Sequence, residues 1–185
     1  LHDTVIVAKS AGEGLGVSLL HWIIGDRQRS IVVEMMADGL HVYDDPVDTL
    51  ANQPTFPWHM ENLRTYITAT SDFPQTATWR GAELKPYGAG AGMRGIPGDC
   101  YSPSRFVKAA YLNANYPQKE SEAENVVRMF RSLEGVAMIE GASKMGDDTA
   151  ATEIYTGCFS ARTGNYYYAM YGDPSIRYVS LMDAE

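Results

Sequence analysis

The sequence predicts a single α+β domain over residues 1–185 with antiparallel sheet. Three observations predict it. Apolar runs between residues 17 and 43 are joined by short polar links, too short for a crossover, so neighbouring strands must run antiparallel. The middle of the chain switches to helical spacing of apolar residues. Three more strand patterns, separated by glycine-bearing turns, finish it, so strands and helices are segregated rather than alternating.

Thr4 to Ala8 reads as a strand. Val17 to Asp26 is a buried strand ending in a turn, Ser30 to Met36 a second and Gly39 to Tyr43 a third. Asp44-Asp45-Pro46 closes the third, with both carboxylates read as solvated turn charges. Val47 to Ala51 is a short extended piece running into Asn52-Gln53-Pro54. Phe56 to Ile67 has apolar residues at 56, 60, 63, 66 and 67, a helical spacing, with Pro57 tolerated in its first turn. Residues 68–87 are polar with scattered aromatics and read as an extended excursion, a hairpin that contacts a partner subunit.

A glycine and proline loop follows, then a helix from 103 to 113 with Ser102 as candidate N-cap and Phe106, Ala109 and Ala110 on one face. Lys119 to Leu133 is an amphipathic helix with Val126, Val127, Phe130 and Leu133 inward and Ser121–Glu124 as a capping box. After a polar loop at 143–151 come strands at Glu153–Ser160, Asn165–Tyr171 and Ile176–Leu181.

Composition narrows the function classes. A net charge of −8 argues against nucleic acid, which needs basic patches. No apolar run reaches the roughly 18 residues that span a membrane, and the first residues lack the basic start and apolar core of a signal peptide. The opening Leu-His-Asp, without methionine, suggests a piece of a longer protein. Two cysteines are too few for a disulfide framework and lack zinc spacing, which fits a reducing compartment, the cytoplasm.

Several patterns invite chemistry. Gly90-x-Gly92-x-x-Gly95 matches a dinucleotide fingerprint literally, but no βαβ unit surrounds it and Ile-Pro follows instead of a helix. His21, His41 and His59 are scattered without paired-ligand spacing, so no metal is expected, and the first two read as core or sheet residues. Cys100 lies five positions before Arg105, but no histidine is near in sequence to activate it; Cys158, mid-strand, reads as core. Tyr166-Tyr167-Tyr168 alternates across a strand, and packing accounts for it.

Arg105 is the odd residue. It falls in a first helical turn, where the helix dipole already carries positive partial charge. It faces either a surface carboxylate or an anion or nucleophile of a site. Asn52 likewise has two readings: a turn former, or an amide donor at the end of a strand of the kind that stabilises an oxyanion.

Taken together, Leu20-His21-Trp22, Ser30-Ile-Val-Val-Glu34, Leu50-Ala-Asn52-Gln-Pro54-Thr-Phe56, Asn62-Leu63-Arg64, Gly95-Ile-Pro-Gly-Asp99 and Ser104-Arg105-Phe106 resemble the choloylglycine hydrolase family, which holds bile salt hydrolases and penicillin V acylases. The wording of Met36-Ala-Asp-Gly39 and Gln53-Pro-Thr-Phe56 is most similar to bile salt hydrolases of gut bacteria. The resemblance implies an N-terminal-nucleophile hydrolase with an αββα sandwich of antiparallel sheets, incomplete here. It implies a cysteine nucleophile with a free α-amine, ahead of Leu1, and a thioester intermediate. By match to the motif, Asn52 is the side-chain oxyanion donor and Arg105 the arginine beside the nucleophile. Conjugated bile salts are the implied substrates, penicillin V the alternative, and a non-catalytic assembly fragment a further one. No cofactor is implied. A homotetramer through the excursion at 68–97 is.

Overall fold

The computed structural model describes residues 20–26 and 28–183. The strand expected at Thr4–Ala8 lies outside them, as does the start of the strand expected from Val17.

Three strands come first: β1 (His21–Gly25), β2 (Ser30–Met36) and β3 (Gly39–Asp45), an antiparallel meander in the order β1-β2-β3. Gly39 takes φ 130° in the tight turn between β2 and β3, a region that side chains rarely enter. Two helices back this sheet: α1 (Phe56–Leu63) and α2 (Ser102–Ala114). Val32 from β2, Phe56 from α1 and Phe106 and Ala110 from α2 form the first buried cluster, with Tyr43, Leu50 and Leu63 packed at its edge.

Further along stand a short hairpin, β4 (Ala77–Trp79) with β5 (Ala82–Leu84), and a third helix, α3 (Glu122–Glu134). The chain ends in a second meander, β6 (Tyr155–Ser160), β7 (Asn165–Met170) and β8 (Asp173–Ser180). Val126 and Phe130 of α3 pack on Ala169, Cys158 and Tyr167, giving the second cluster. The α+β class and the two antiparallel meanders are as the sequence predicts, and the excursion does contain a hairpin.

Local differences have physical reasons. The helix from Phe56 stops at Leu63 and tightens into a 3-10 turn, Arg64–Tyr66. Helix α3 begins three residues later than expected, at Glu122, because Ser121 accepts from the Glu124 backbone N–H and fixes the start. Val127 is 48% exposed, on the rim of the helix rather than in its core stripe. His21 and His41 are both sheet residues, as expected: His41 on β3 pairs with Asp38 at the surface, and His21 on β1 is half-buried against Glu34. The fingerprint glycines shape a loop: a side chain at Gly92 would collide with the Thr70 carbonyl, and Thr70 donates its N–H to the Gly92 carbonyl.

Asp45 is not solvated. It is 4% exposed and accepts from the backbone N–H groups of Val47 (3.0 Å) and Thr49 (2.8 Å). Burial pushes its carboxyl up, and those two bonds oppose the shift. The chain after it is no strand, so Asn52 does not close one. Residues 46–55 run free of any sheet, alongside α2. Asn113 near the end of α2 donates to the carbonyls of Val47 (3.2 Å) and Asp48 (2.9 Å), while Ser102 at its start donates to the Asn52 carbonyl (2.7 Å). The segment therefore lies along the helix, antiparallel to it, and is held at both ends.

Candidate active site

The site is built where that segment meets the first turn of α2. Arg105 Nη2 donates to Asn52 Oδ1 at 2.6 Å. Its Nε donates to the Cys100 carbonyl at 3.0 Å, so the planar fork is fixed by two acceptors on different segments. The bond to Asn52 has a further consequence. An amide oxygen only accepts and an amide nitrogen only donates. With Oδ1 turned to the guanidinium, Asn52 presents Nδ2, and its two N–H groups have no partner among the described residues. Asn52 lies between two clefts. One, of about 420 Å³, is bordered by His21, Glu34 and Gln53; the other, of about 600 Å³, by Cys100, Tyr101 and Arg105. An oriented donor beside a cationic fork is a place for developing negative charge.

Sequence reasoning singled out Asn52 and Arg105, and the structure brings them into contact. It missed what holds them. The Asn52 carbonyl accepts from His59 Nε2 (2.9 Å) as well as from Ser102. Ser102 is therefore not the cap of α2. Tyr101 occupies that position without a side-chain bond, and the Ser102 hydroxyl goes to a partner 50 residues back. Glu34, 3% exposed on β2, accepts from the Phe56 N–H at the start of α1 (2.9 and 3.1 Å) and from His21 Nδ1 (3.0 Å). The one sequence signal was Glu34 itself, a charge at the centre of an apolar strand. His59 gave none. Asp99 orders the loop before α2 by accepting from the Tyr101 N–H and the Ser104 hydroxyl, which hold its carboxyl below the usual range. Cys100 borders the same cleft, whereas Cys158 is part of the second cluster and burial pushes its thiol up. Among the described residues, no group of three metal-ligating side chains stands close enough to hold an ion, and no helix is long and apolar enough to cross a membrane.

An amide donor set against an arginine, on antiparallel sheets backed by helices, fits the class of hydrolases that cleave amides through an oxyanion. Over residues 1–185 the chain matches the family model for linear amide C–N hydrolases, choloylglycine hydrolase family. It belongs to the choloylglycine hydrolase family. It is 52% identical over 166 residues to the bile salt hydrolase/transferase of Bifidobacterium longum, covering 90% of this chain and 52% of that one. It is 38% identical over 186 residues to the conjugated bile acid hydrolase of Lactobacillus gasseri, covering 99% of this chain and 58% of that one. The crystal structure of a variant of conjugated bile acid hydrolase from Clostridium perfringens superposes with a TM-score of 0.88 at 29% identity, covering 97% of this chain and 55% of that one. The chain has the fold of those bile acid hydrolases, and it spans about half the length of the curated relatives it matches.

Proposed function

We propose that this chain is the part of a conjugated bile salt amidase that carries the oxyanion donor and the site arginine. The single observation that carries the reading is the 2.6 Å bond from Arg105 to Asn52 Oδ1, which leaves the amide nitrogen free to donate. The 52% identity to a bile salt hydrolase/transferase supports bile salts as the substrate class, and the family resemblance points to their glycine or taurine amides. The nucleophile is a cysteine with a free α-amine on a segment ahead of Leu1. Neither Cys100 nor Cys158 takes that role, because both are internal and carry no α-amine.

The amine takes the thiol proton, and the thiolate attacks the amide carbonyl. The carbonyl oxygen becomes an oxyanion, which accepts from Asn52 Nδ2. Collapse breaks the C–N bond, the proton passes to the leaving nitrogen, and a thioester remains. Water then attacks the thioester, releasing the bile acid and restoring the thiol. Arg105 sits beside the sulfur and favours its charged form. The 185 residues alone, lacking the nucleophile, are inactive. The complete protein is a cytoplasmic homotetramer assembled through residues 68–97, a reading supported by the exposed Phe73 and Trp79 of that excursion and by two free thiols.

The test is Asn52→Ala in the complete polypeptide with its upstream segment. Removing an oxyanion donor should lower kcat on glycocholate by on the order of 10²–10³ with the fold intact. An unchanged kcat would remove Asn52 from the mechanism and this reading with it.

A further inference from the structure

The Asn52 side chain is fixed by Arg105, but a side chain is only as well placed as its own backbone. Asn52 sits in a segment with no sheet or helix bonds of its own. Its carbonyl is nevertheless engaged on both lone pairs, by Ser102 Oγ at 2.7 Å and by His59 Nε2 at 2.9 Å. The two donors come from different helices and are both buried, His59 at 0% and Ser102 at 8% exposure. A carbonyl cannot donate, so His59 carries its proton on Nε2. Its Nδ1 is buried with no partner among the described residues. The ring stacks on Phe106 at 4.4 Å and 10° between planes. Phe106 is the residue after Arg105 and is itself fully buried. The arginine that orients the amide and the histidine that holds the main chain are thus packed through neighbouring residues of one helix turn. Helix α1, which carries His59, is in turn tied to β2 by its Phe56 N–H, which donates to the Glu34 carboxylate.

Resting on the amidase reading above, we infer that His59 is a positioning residue for the reaction: its Nε2–H bond to the Asn52 carbonyl sets the main chain from which the oxyanion donor projects. It touches neither substrate nor nucleophile and acts through Asn52 alone. A buried imidazole places its one donor on some acceptor, and here that acceptor is the carbonyl of the residue whose side chain Arg105 orients. A displacement of the reacting geometry by an ångström costs on the order of 10²-fold in rate, so a bond remote from the chemistry can govern kcat.

The experiment is a double-mutant cycle in the complete polypeptide, with glycocholate as substrate. His59→Phe keeps an aromatic ring against Phe106 and removes the donor. It should lower kcat by about tenfold to a hundredfold with KM little changed. His59→Gln, which retains a side-chain N–H, should recover part of that loss. In the Asn52→Ala background His59→Phe should change kcat less than about twofold, because the residue it positions is gone. A kcat for His59→Phe within twofold of the parent, or an equal loss in both backgrounds, overturns the inference. If Asn52→Ala itself leaves kcat unchanged, the amidase reading fails first. Should His59→Phe not fold, ¹⁵N NMR of the unsubstituted, histidine-labelled protein decides: an Nε2–H tautomer coupled to the Asn52 carbonyl supports the bond, and an Nδ1–H tautomer excludes it.

Discussion

The cluster around Phe106 and the cluster around Phe130 are both a helix packed on an antiparallel meander, with an aromatic anchor at 0% and 5% exposure. They differ in what else is buried. Around the first, Glu34, Asp45, Thr49, His59 and Ser102 are all below 9% exposed; on the helix of the second, Ser132 is the one buried polar side chain among the described residues, and it bonds back within its own helix to the Arg128 carbonyl. Burying a polar group costs free energy unless it is fully paired. Apolar residues would have packed the first cluster at lower cost, as they do the second. Apart from Glu34, which accepts from His21 and from the Phe56 N–H at the start of α1, the polar groups there converge on one short segment, residues 45–52, and on Asn52 at its end. The difference separates packing that only holds the fold from packing that also aims a side chain.

The sharpest way to break that comparison is to truncate both anchors. Phe106→Ala and Phe130→Ala should each destabilise by about 3–5 kcal/mol, read by urea unfolding of the complete polypeptide. Only Phe106→Ala should also lower kcat of the folded fraction, because it removes the surface on which His59 stacks. If Phe130→Ala lowers kcat as much, the two clusters do not divide in this way. A smaller effect tests the other donor to the same carbonyl. Ser102→Ala removes a hydrogen bond and leaves the carbonyl bound by His59, so the stability loss should be about 1 kcal/mol. Its kcat should fall less than that of His59→Phe, because the His59 ring stacked on Phe106 stays in place and still holds the carbonyl. The reverse order would make Ser102 the principal clamp.

The same contrast explains what could be read from the sequence. The second cluster was legible almost whole: periodic apolar residues, a serine cap and glycine turns are local signals, and they gave α3 and β6–β8 within a few residues. The class and the meander around β2 were legible for the same reason. Arg105 stands out because it breaks a local rule, a cation at a helix start, whereas Asn52 before Gln-Pro fits an ordinary turn as well as a donor, and its role comes from the family resemblance. Their supports were not legible. Asp45 before proline has every mark of a surface turn, and only the fold shows its carboxylate turned inward onto Val47 and Thr49. Ser102 has every mark of a cap, and its hydroxyl goes instead to Asn52. For Ser102 the local reading put a nearby partner in place of one 50 residues back, and for Asp45, whose partners are only two and four residues on, what the local pattern hides is the burial. A site assembled by contacts across 50 positions leaves no periodic trace.

The smallest predicted effect is the one that tests the buried histidine without any substrate. Burial pushes His59 below its ordinary value of 6.5, opposed by its bond to the Asn52 carbonyl and by the nearby Glu34 carboxylate, and helped by His21 and Arg105. In the unfolded chain His59 takes up a proton near pH 6.5, whereas the folded protein refuses it until the pH is lower. Between those two values the unfolded state binds more protons, so stability falls as the pH drops through about 6.5 and is level above it. One proton gives a slope of at most about 1.4 kcal/mol per pH unit. His21, His41 and the carboxylates also titrate, so the parent's slope alone does not isolate His59. The difference between parent and His59→Phe does, since phenylalanine takes up no proton in either state. The parent's urea midpoint minus the variant's should fall as the pH drops from about 8 to about 5, the parent losing stability that the variant keeps. Parallel curves would mean that His59 is protonated as readily in the folded protein as out of it, and that its Nδ1 is open to water rather than sealed against Phe106.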